Sequence, residues 1–106
     1  MYKSFTLDAK TYFCGGFQTY EGEYVSFIHP VLVKVEDQEG FFVASIKELN
    51  IVVAEADYEE AKQSISDFLT CDYYEYALAL DAELTQKAIN LKHWYIKNTT
   101  RSIQVS

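Results

Sequence analysis

The clearest hydrophobic pattern in the chain runs from Val31 to Leu69. It begins as alternation. Val31, Val33 and Val35 fall on one side of an extended chain, and Leu32, Lys34 and Glu36 on the other. That period of two predicts a strand over Val31–Glu36. Asp37, Gln38, Glu39 and Gly40 form a polar turn. Phe41–Ile46 and Ile51–Glu55 read as two further strands, joined by the short connection Lys47–Glu48–Leu49–Asn50. In the second strand Phe41 and Val43 oppose Phe42, Ala44 and Ile46. In the third, Val52 and Ala54 oppose Ile51 and Val53. Both faces of these strands are largely apolar, yet one helix covers only one face of a sheet. The other face needs a cover from the N-terminal segment, the C-terminal helix or another chain.

After the third strand the period becomes helical. Asp57 is an N-cap residue, because its carboxylate accepts from the free N–H groups of a first turn. Glu60, three residues on, completes a capping-box pattern, and Glu59 and Glu60 complement the positive end of the helix dipole. Tyr58, Ala61, Ile65, Phe68 and Leu69 recur at helical spacing. They predict a helix from Tyr58 to about Cys71, with that face against the three strands. If Phe68 belongs to the buried face, Phe68→Ala costs about 3–5 kcal/mol. Tyr73–Leu80 predicts a second helical piece returning Tyr76 and Leu80 to the core. Asp81–Ala82–Glu83 reads as a loop. Thr85 then caps a helix that runs to Lys97, with Ala88, Leu91 and Tyr95 as its stripe.

The ends are less regular. Lys3–Leu7 alternates weakly, as a strand would. Gly15–Gly16, between Lys10–Phe13 and Phe17–Tyr20, predicts a hairpin. Glu23–Phe27 is an earlier strand or an extension of the first one, and Pro30 marks an edge, a bulge or a strand start. The polar tail after Lys97 reads as frayed. Together these elements predict an α+β fold: a mainly antiparallel sheet of three to five strands, one helix packed on a face in a β-β-β-α module, and a C-terminal helix. With 106 residues, 49% of them hydrophobic, the chain is expected to be one domain, its core at about 24–80 and its last helix at about 85–97.

Charge narrows the choice of partner. The net charge is −7. Thirteen acidic residues and two lysines lie between Glu36 and Gln86, whereas Lys87–Arg101 holds four basic residues and no acidic one. An acidic surface disfavours direct binding of nucleic-acid phosphates and favours a basic partner. No apolar run approaches the roughly 20 residues that span a bilayer. MYKSFTLDAK lacks the apolar core of a signal peptide. A cytoplasmic protein with Cys14 and Cys71 as thiols is the expectation, with no membrane contact.

Candidate chemistry is sparse. His29 and His93 are the only histidines, and neither stands in metal-ligand spacing with the other or with either cysteine. The carboxylates Glu36, Asp37, Glu39, Glu48, Asp57, Glu59 and Glu60 sit in a turn or on a polar helix face, where solvation explains them. No phosphate-binding glycine loop or nucleophile elbow is present. No catalytic, metal or cofactor residue is assigned.

The module resembles the HicB-like antitoxin domain, a partial ribonuclease H fold, over residues 31 to about 70. The quoted features are VLVKVEDQEG and then FFVASI, the Glu48–Leu49 connection, and the helix start Glu55–Ala56–Asp57–Tyr58–Glu59–Glu60–Ala61. Asp57 stands where that family has a Thr or Ser cap. Glu55 stands where it has Gly, and the Pro and Gly beside the connection's Leu are missing. The resemblance implies a non-catalytic module that binds and neutralises a small basic ribonuclease. Partner contacts are expected at Glu36, Asp37, Glu39, Glu59, Glu60, Tyr73 and Tyr76. Apolar contact would come from the spare sheet face or the Tyr73–Tyr76 aromatics. A second copy of the chain is another partner left open. The competing reading is a small ribonuclease H-like enzyme or ligand-binding domain. Its expected carboxylates are missing from the central strands, which offer Val, Phe, Ala and Ile between Glu36 and Glu55.

Overall fold

The structure, a computed structural model, describes residues 10–101. The weak alternation at Lys3–Leu7 lies outside them. Five strands and two helices follow in order: β1 (Lys10–Gln18), β2 (Tyr24–Gln38), β3 (Phe41–Ile46), β4 (Ile51–Glu55), α1 (Tyr58–Asp72), α2 (Gln86–Asn98) and β5 (Thr99–Arg101). The hydrogen-bonded order is β1-β2-β3-β4, and β5 pairs with β2. The β2–β3, β3–β4 and β2–β5 pairings are antiparallel. The fold is α+β, as the periodicities require. Contacts gather the described residues into two compact units. One comprises residues 10–14 and Val31–Ile65, the other Gly15–Pro30 and 66–101.

The first unit holds the β-β-β-α module. β3 and β4 begin and end where the apolar runs do. Glu39 and Gly40 both take positive φ, 52° and 92°, so the β2–β3 hairpin closes on two residues and Gln38 pairs with Phe41. β2 therefore outruns its predicted end at Glu36. Directly paired residues share a face. Val35, Ala44 and Val53 form one row on the inner face, and Ile46 with Ile51 another. Val31, Val33, Val35, Ala44, Ile46, Leu49, Ile51, Ala61 and Ile65 are the unit's buried core. Asp57 caps α1 as expected: its Oδ1 accepts from the N–H groups of Glu59 and Glu60 at 2.8 and 3.1 Å.

The second unit is built on rings. Phe17, 1% exposed, lies with its centroid 5.7 Å from Phe27, 5.4 Å from Tyr73 and 6.3 Å from Tyr95. Trp94 packs on Phe27 and Tyr95 at 5.9 and 5.4 Å. Thr85 accepts from the Ala88 N–H at 3.2 Å and caps α2. The Thr70 hydroxyl is 2.7 Å from the Gln18 carbonyl.

Several expectations are corrected here. Gly15–Gly16 is not a hairpin: β1 runs straight through it, and the turn falls at Thr19–Glu23, where the Thr19 N–H donates to the Glu23 carbonyl at 2.7 Å. Gly16 is needed for close approach, because a Cβ there would lie 2.2 Å from the Val25 carbonyl oxygen. Of the two readings of Glu23–Phe27, extension of the first strand is the one the structure shows, as the front of a single long β2; Pro30, expected at an edge, a bulge or a strand start, lies inside that strand in the exposed run Ile28–His29–Pro30. That run falls between the stretch that pairs with β5 (Val25–Phe27) and the one that pairs with β3 (Lys34–Gln38), where a missing N–H breaks neither ladder. The tail is not frayed at its start, since Thr99–Arg101 pairs with Val25–Phe27.

The helical face is corrected too. The buried apolar positions are Ala61, Ile65, Leu69, Tyr73 and Ala77, every fourth residue, and Phe68 is 41% exposed. An α-helix advances about 100° per residue, so a four-residue repeat drifts about 40° per step. The wider π turn at Tyr73–Ala77 advances less per residue, so the step from Tyr73 to Ala77 reverses part of that drift. Tyr73 and Ala77 thus fill the places expected of Tyr76 and Leu80. Tyr76 is half-buried and Leu80 is 68% exposed.

Candidate interaction surfaces

One end of the first unit collects carboxylates. Asp37 pairs with Phe42, and Phe42 pairs with Glu55, so the hairpin tip and the exit of β4 share an end of the sheet. The chain turns from β4 into α1 at that same end, and the Phe42 ring lies 6.1 Å from that of Tyr58. Asp37, Glu39, Asp57, Glu59 and Glu60 are all exposed there. Two neighbouring carboxylates have local work. Asp57 is committed to its cap, and Glu55 Oε2 accepts from the Ser64 hydroxyl at 2.6 Å. Asp37, Glu39, Glu59 and Glu60 carry the outward charge, Glu59 with the Lys62 ammonium 4.0 Å from it.

A cationic layer borders this end. Lys62 Nζ lies 5.4 Å from the ring centroids of both Tyr12 and Tyr58, and 4.0 Å from Glu59 Oε1. Lys10 Nζ sits 5.1 Å over Tyr58. The Tyr12 phenol is pushed up to about 12, first by burial and then by Cys14, Tyr58 and Glu59. Lys62 is four residues beyond Tyr58 on the helix, and that i, i+4 spacing is the signal in the sequence for this pairing.

Glu36 stands apart from the other predicted acids. It pairs with Val43, and Val43 with Ala54, on the face opposite the core. Lys34 Nζ is 3.1 Å from its Oε2, and Gln38 Nε2 donates to its Oε1 at 3.0 Å. The Lys34 hydrogen bond, the Lys34 charge and Gln38 hold its carboxyl below the usual range. The register also puts Lys34, Ser45 and Val52 in one row of this outer face, and Gln38 beside Phe41. Leu32 is two residues from Lys34 on the same side. Phe13 is adjacent in β1 to Tyr12, whose ring faces Lys62 on α1, and alternation turns Phe13 outward. Phe13, Leu32, Phe41 and Val52 are 71%, 46%, 55% and 61% exposed. The apolar outer face expected from the sequence is present and bare among the described residues.

The tyrosines belong to the second unit. Tyr73 is 8% exposed and holds core rings, so it offers no contact surface there. Tyr76 is half-buried. The tyrosine in this stretch with outward chemistry is Tyr74, whose hydroxyl donates to Glu21 and accepts from the Tyr20 N–H at 3.1 Å. Its ring stacks on Tyr20 at 4.4 Å. Nothing local in the sequence links positions so far apart. Tyr95, fully buried, donates through its hydroxyl to Asp72 Oδ2 at 3.2 Å. Burial pushes the Asp72 carboxyl up, the Tyr95 hydrogen bond opposes this, and Glu75 adds to it. Burial and then Asp72 push the Tyr95 phenol far up.

Cys14 is half-buried and Cys71 exposed, each as a thiol. Among the described residues no group of three or more His, Cys, Asp or Glu side chains is arranged to hold a metal ion, and no helix is long and apolar enough to cross a membrane. Comparison of the chain with protein-family models, with curated protein sequences and with solved structures gives no match.

Proposed function

We propose that this chain is a non-catalytic interaction module of the cytoplasm that binds and neutralises a small basic ribonuclease, as the HicB-like antitoxins it resembles do. The observation that carries the reading is the exposure of Asp37, Glu39, Glu59 and Glu60 at one end of the β-β-β-α unit. Four outward carboxylates at the junction of a rigid hairpin and a capped helix form a fixed negative field. Such a field speeds encounter with a cation-rich partner and disfavours acidic competitors. The Phe42–Tyr58 pair beside it supplies the apolar contact that slows dissociation. Glu36, held by Lys34 on the outer face, is not part of this surface.

The test is co-expression with the product of the adjacent reading frame. A complex whose association slows as salt rises supports the proposal. In the Glu59→Lys/Glu60→Lys double variant the affinity should fall about tenfold or more, with the helical circular dichroism retained. No complex, or a complex indifferent to both salt and charge reversal, overturns it. A magnesium titration followed by a nuclease assay on the chain alone addresses the enzyme reading, and metal-dependent turnover would displace the antitoxin role.

A further inference from the structure

We infer that the outer face of the first unit's sheet is covered by a second copy of this chain, packed face to face about a two-fold axis. The occupant follows from the charge on that face. Alternation and register put Lys34 and Glu36 on it as its charged side chains among the described strand residues of the unit. Lys10 and Glu55 point to the helix side, where Tyr58 and Ser64 hold them. The face is therefore neutral on a chain of net charge −7. A basic partner gains nothing from a neutral surface, whereas a second acidic chain meets no repulsion there.

The two charges also make the face self-complementary. Lys34 and Glu36 flank Val35 on one strand and lie 3.1 Å apart. A two-fold axis lying between two sheets and crossing β2 at Val35 sets Lys34 of each copy over Glu36 of the other. That is the isologous arrangement of a closed dimer. Around this pair Leu32, Phe41, Val43, Val52 and Phe13 supply apolar side chains from four strands. Two sheets meeting this way bury them in a layer about 10 Å thick. The inference is separate from the basic-partner reading, which uses the carboxylate end of the unit.

The experiment is sedimentation velocity of the full chain, without any partner, across a concentration series. Dimers are expected. Leu32→Glu buries an unpaired charge in the apolar layer, and Lys34→Glu sets acid against acid, so each should weaken dimerisation about tenfold or more. All the altered positions are exposed or half-buried on the surface, and unchanged circular dichroism confirms that the monomer stays folded. The reversed pair, Lys34→Glu with Glu36→Lys, should restore the dimer, because a two-fold axis needs only opposite signs at the two positions. A chain that stays monomeric overturns the inference. So does a dimer that Leu32→Glu leaves intact, as pairing along the free edge of β4 would, and so does a failure of the reversed pair to recover.

Discussion

Leu69 on α1 is fully buried, while Phe68 beside it keeps 41% of its surface. Both are large and apolar, and the helical repeat alone admits either one to the core face. Leu69→Ala should cost about 2–5 kcal/mol, the transfer loss plus a cavity. Phe68→Ala should cost only about 1–2 kcal/mol, because part of the ring is already in water. Denaturant unfolding of the two variants checks the order, and an inverted order would mean that the helix is rotated about its axis. Asp72 carries a second prediction at this scale. Its carboxyl is raised in the folded chain, so the folded state holds a proton that the unfolded state has released. Stability from this group is present at low pH and is lost as pH rises from the ordinary carboxylate range through the raised value. Asp72→Asn keeps the acceptor for the Tyr95 hydroxyl and removes the titration. Melting temperature against pH should lose that falling segment in the variant. A profile identical to that of the parent chain would show that Asp72 titrates normally.

Elements meet through their backbones as well as their side chains. β1 passes β2 closely enough at Gly16 that an added Cβ would strike the Val25 carbonyl oxygen at 2.2 Å and the Tyr24 ring at 2.8 Å. At Gly15 the nearest atom is the Tyr24 hydroxyl at 3.9 Å. Gly16→Ala should therefore abolish or strongly weaken folding, because carbonyl backbone cannot yield as a flexible side chain does. Gly15→Ala should be tolerated within about 1 kcal/mol. Thermal melts of the pair decide the point, and equal stability would remove the close approach. Neighbouring glycines in sequence suggest a turn, yet one of them serves the close approach of two paired strands. The π turn at Tyr73–Ala77 is a similar case, for its wider geometry sets where the last step of the four-residue stripe falls.

At the scale of the whole molecule, charge and apolar surface are sorted to different places. The first unit bears exposed carboxylates at the hairpin and helix-start end, and a neutral apolar sheet face. The tests proposed above for those two surfaces should not interfere. Glu59→Lys/Glu60→Lys should leave self-association unchanged, and Leu32→Glu should leave the salt-dependent binding of a basic partner unchanged. Cross-effects in either direction, read by sedimentation with and without the partner, would mean that one surface serves both purposes.

The strands β3 and β4, the cap at Asp57, the start of α1 and the cap at Thr85 were determined by the sequence by itself. Each depends on contacts within a few residues: pleat alternation, one carboxylate meeting two N–H groups, a hydroxyl meeting another. The division of the module into an inner and an outer face was legible for the same reason, since a period of two fixes it once the strand is known. The tertiary structure alone decided the rest. Tyr73, not Tyr76, joins the core because Phe17 and Tyr95 lie beside it, and no local pattern contains that meeting. Glu36 leaves the acidic group because its pairing with Val43, itself paired with Ala54, commits it to the outer face. Thr99–Arg101 becomes a strand because β2 extends forward to Val25 and offers it a ladder. A residue's neighbours in the chain set its conformation, whereas its exposure and its electrostatic company come from segments that only the folded chain brings to it.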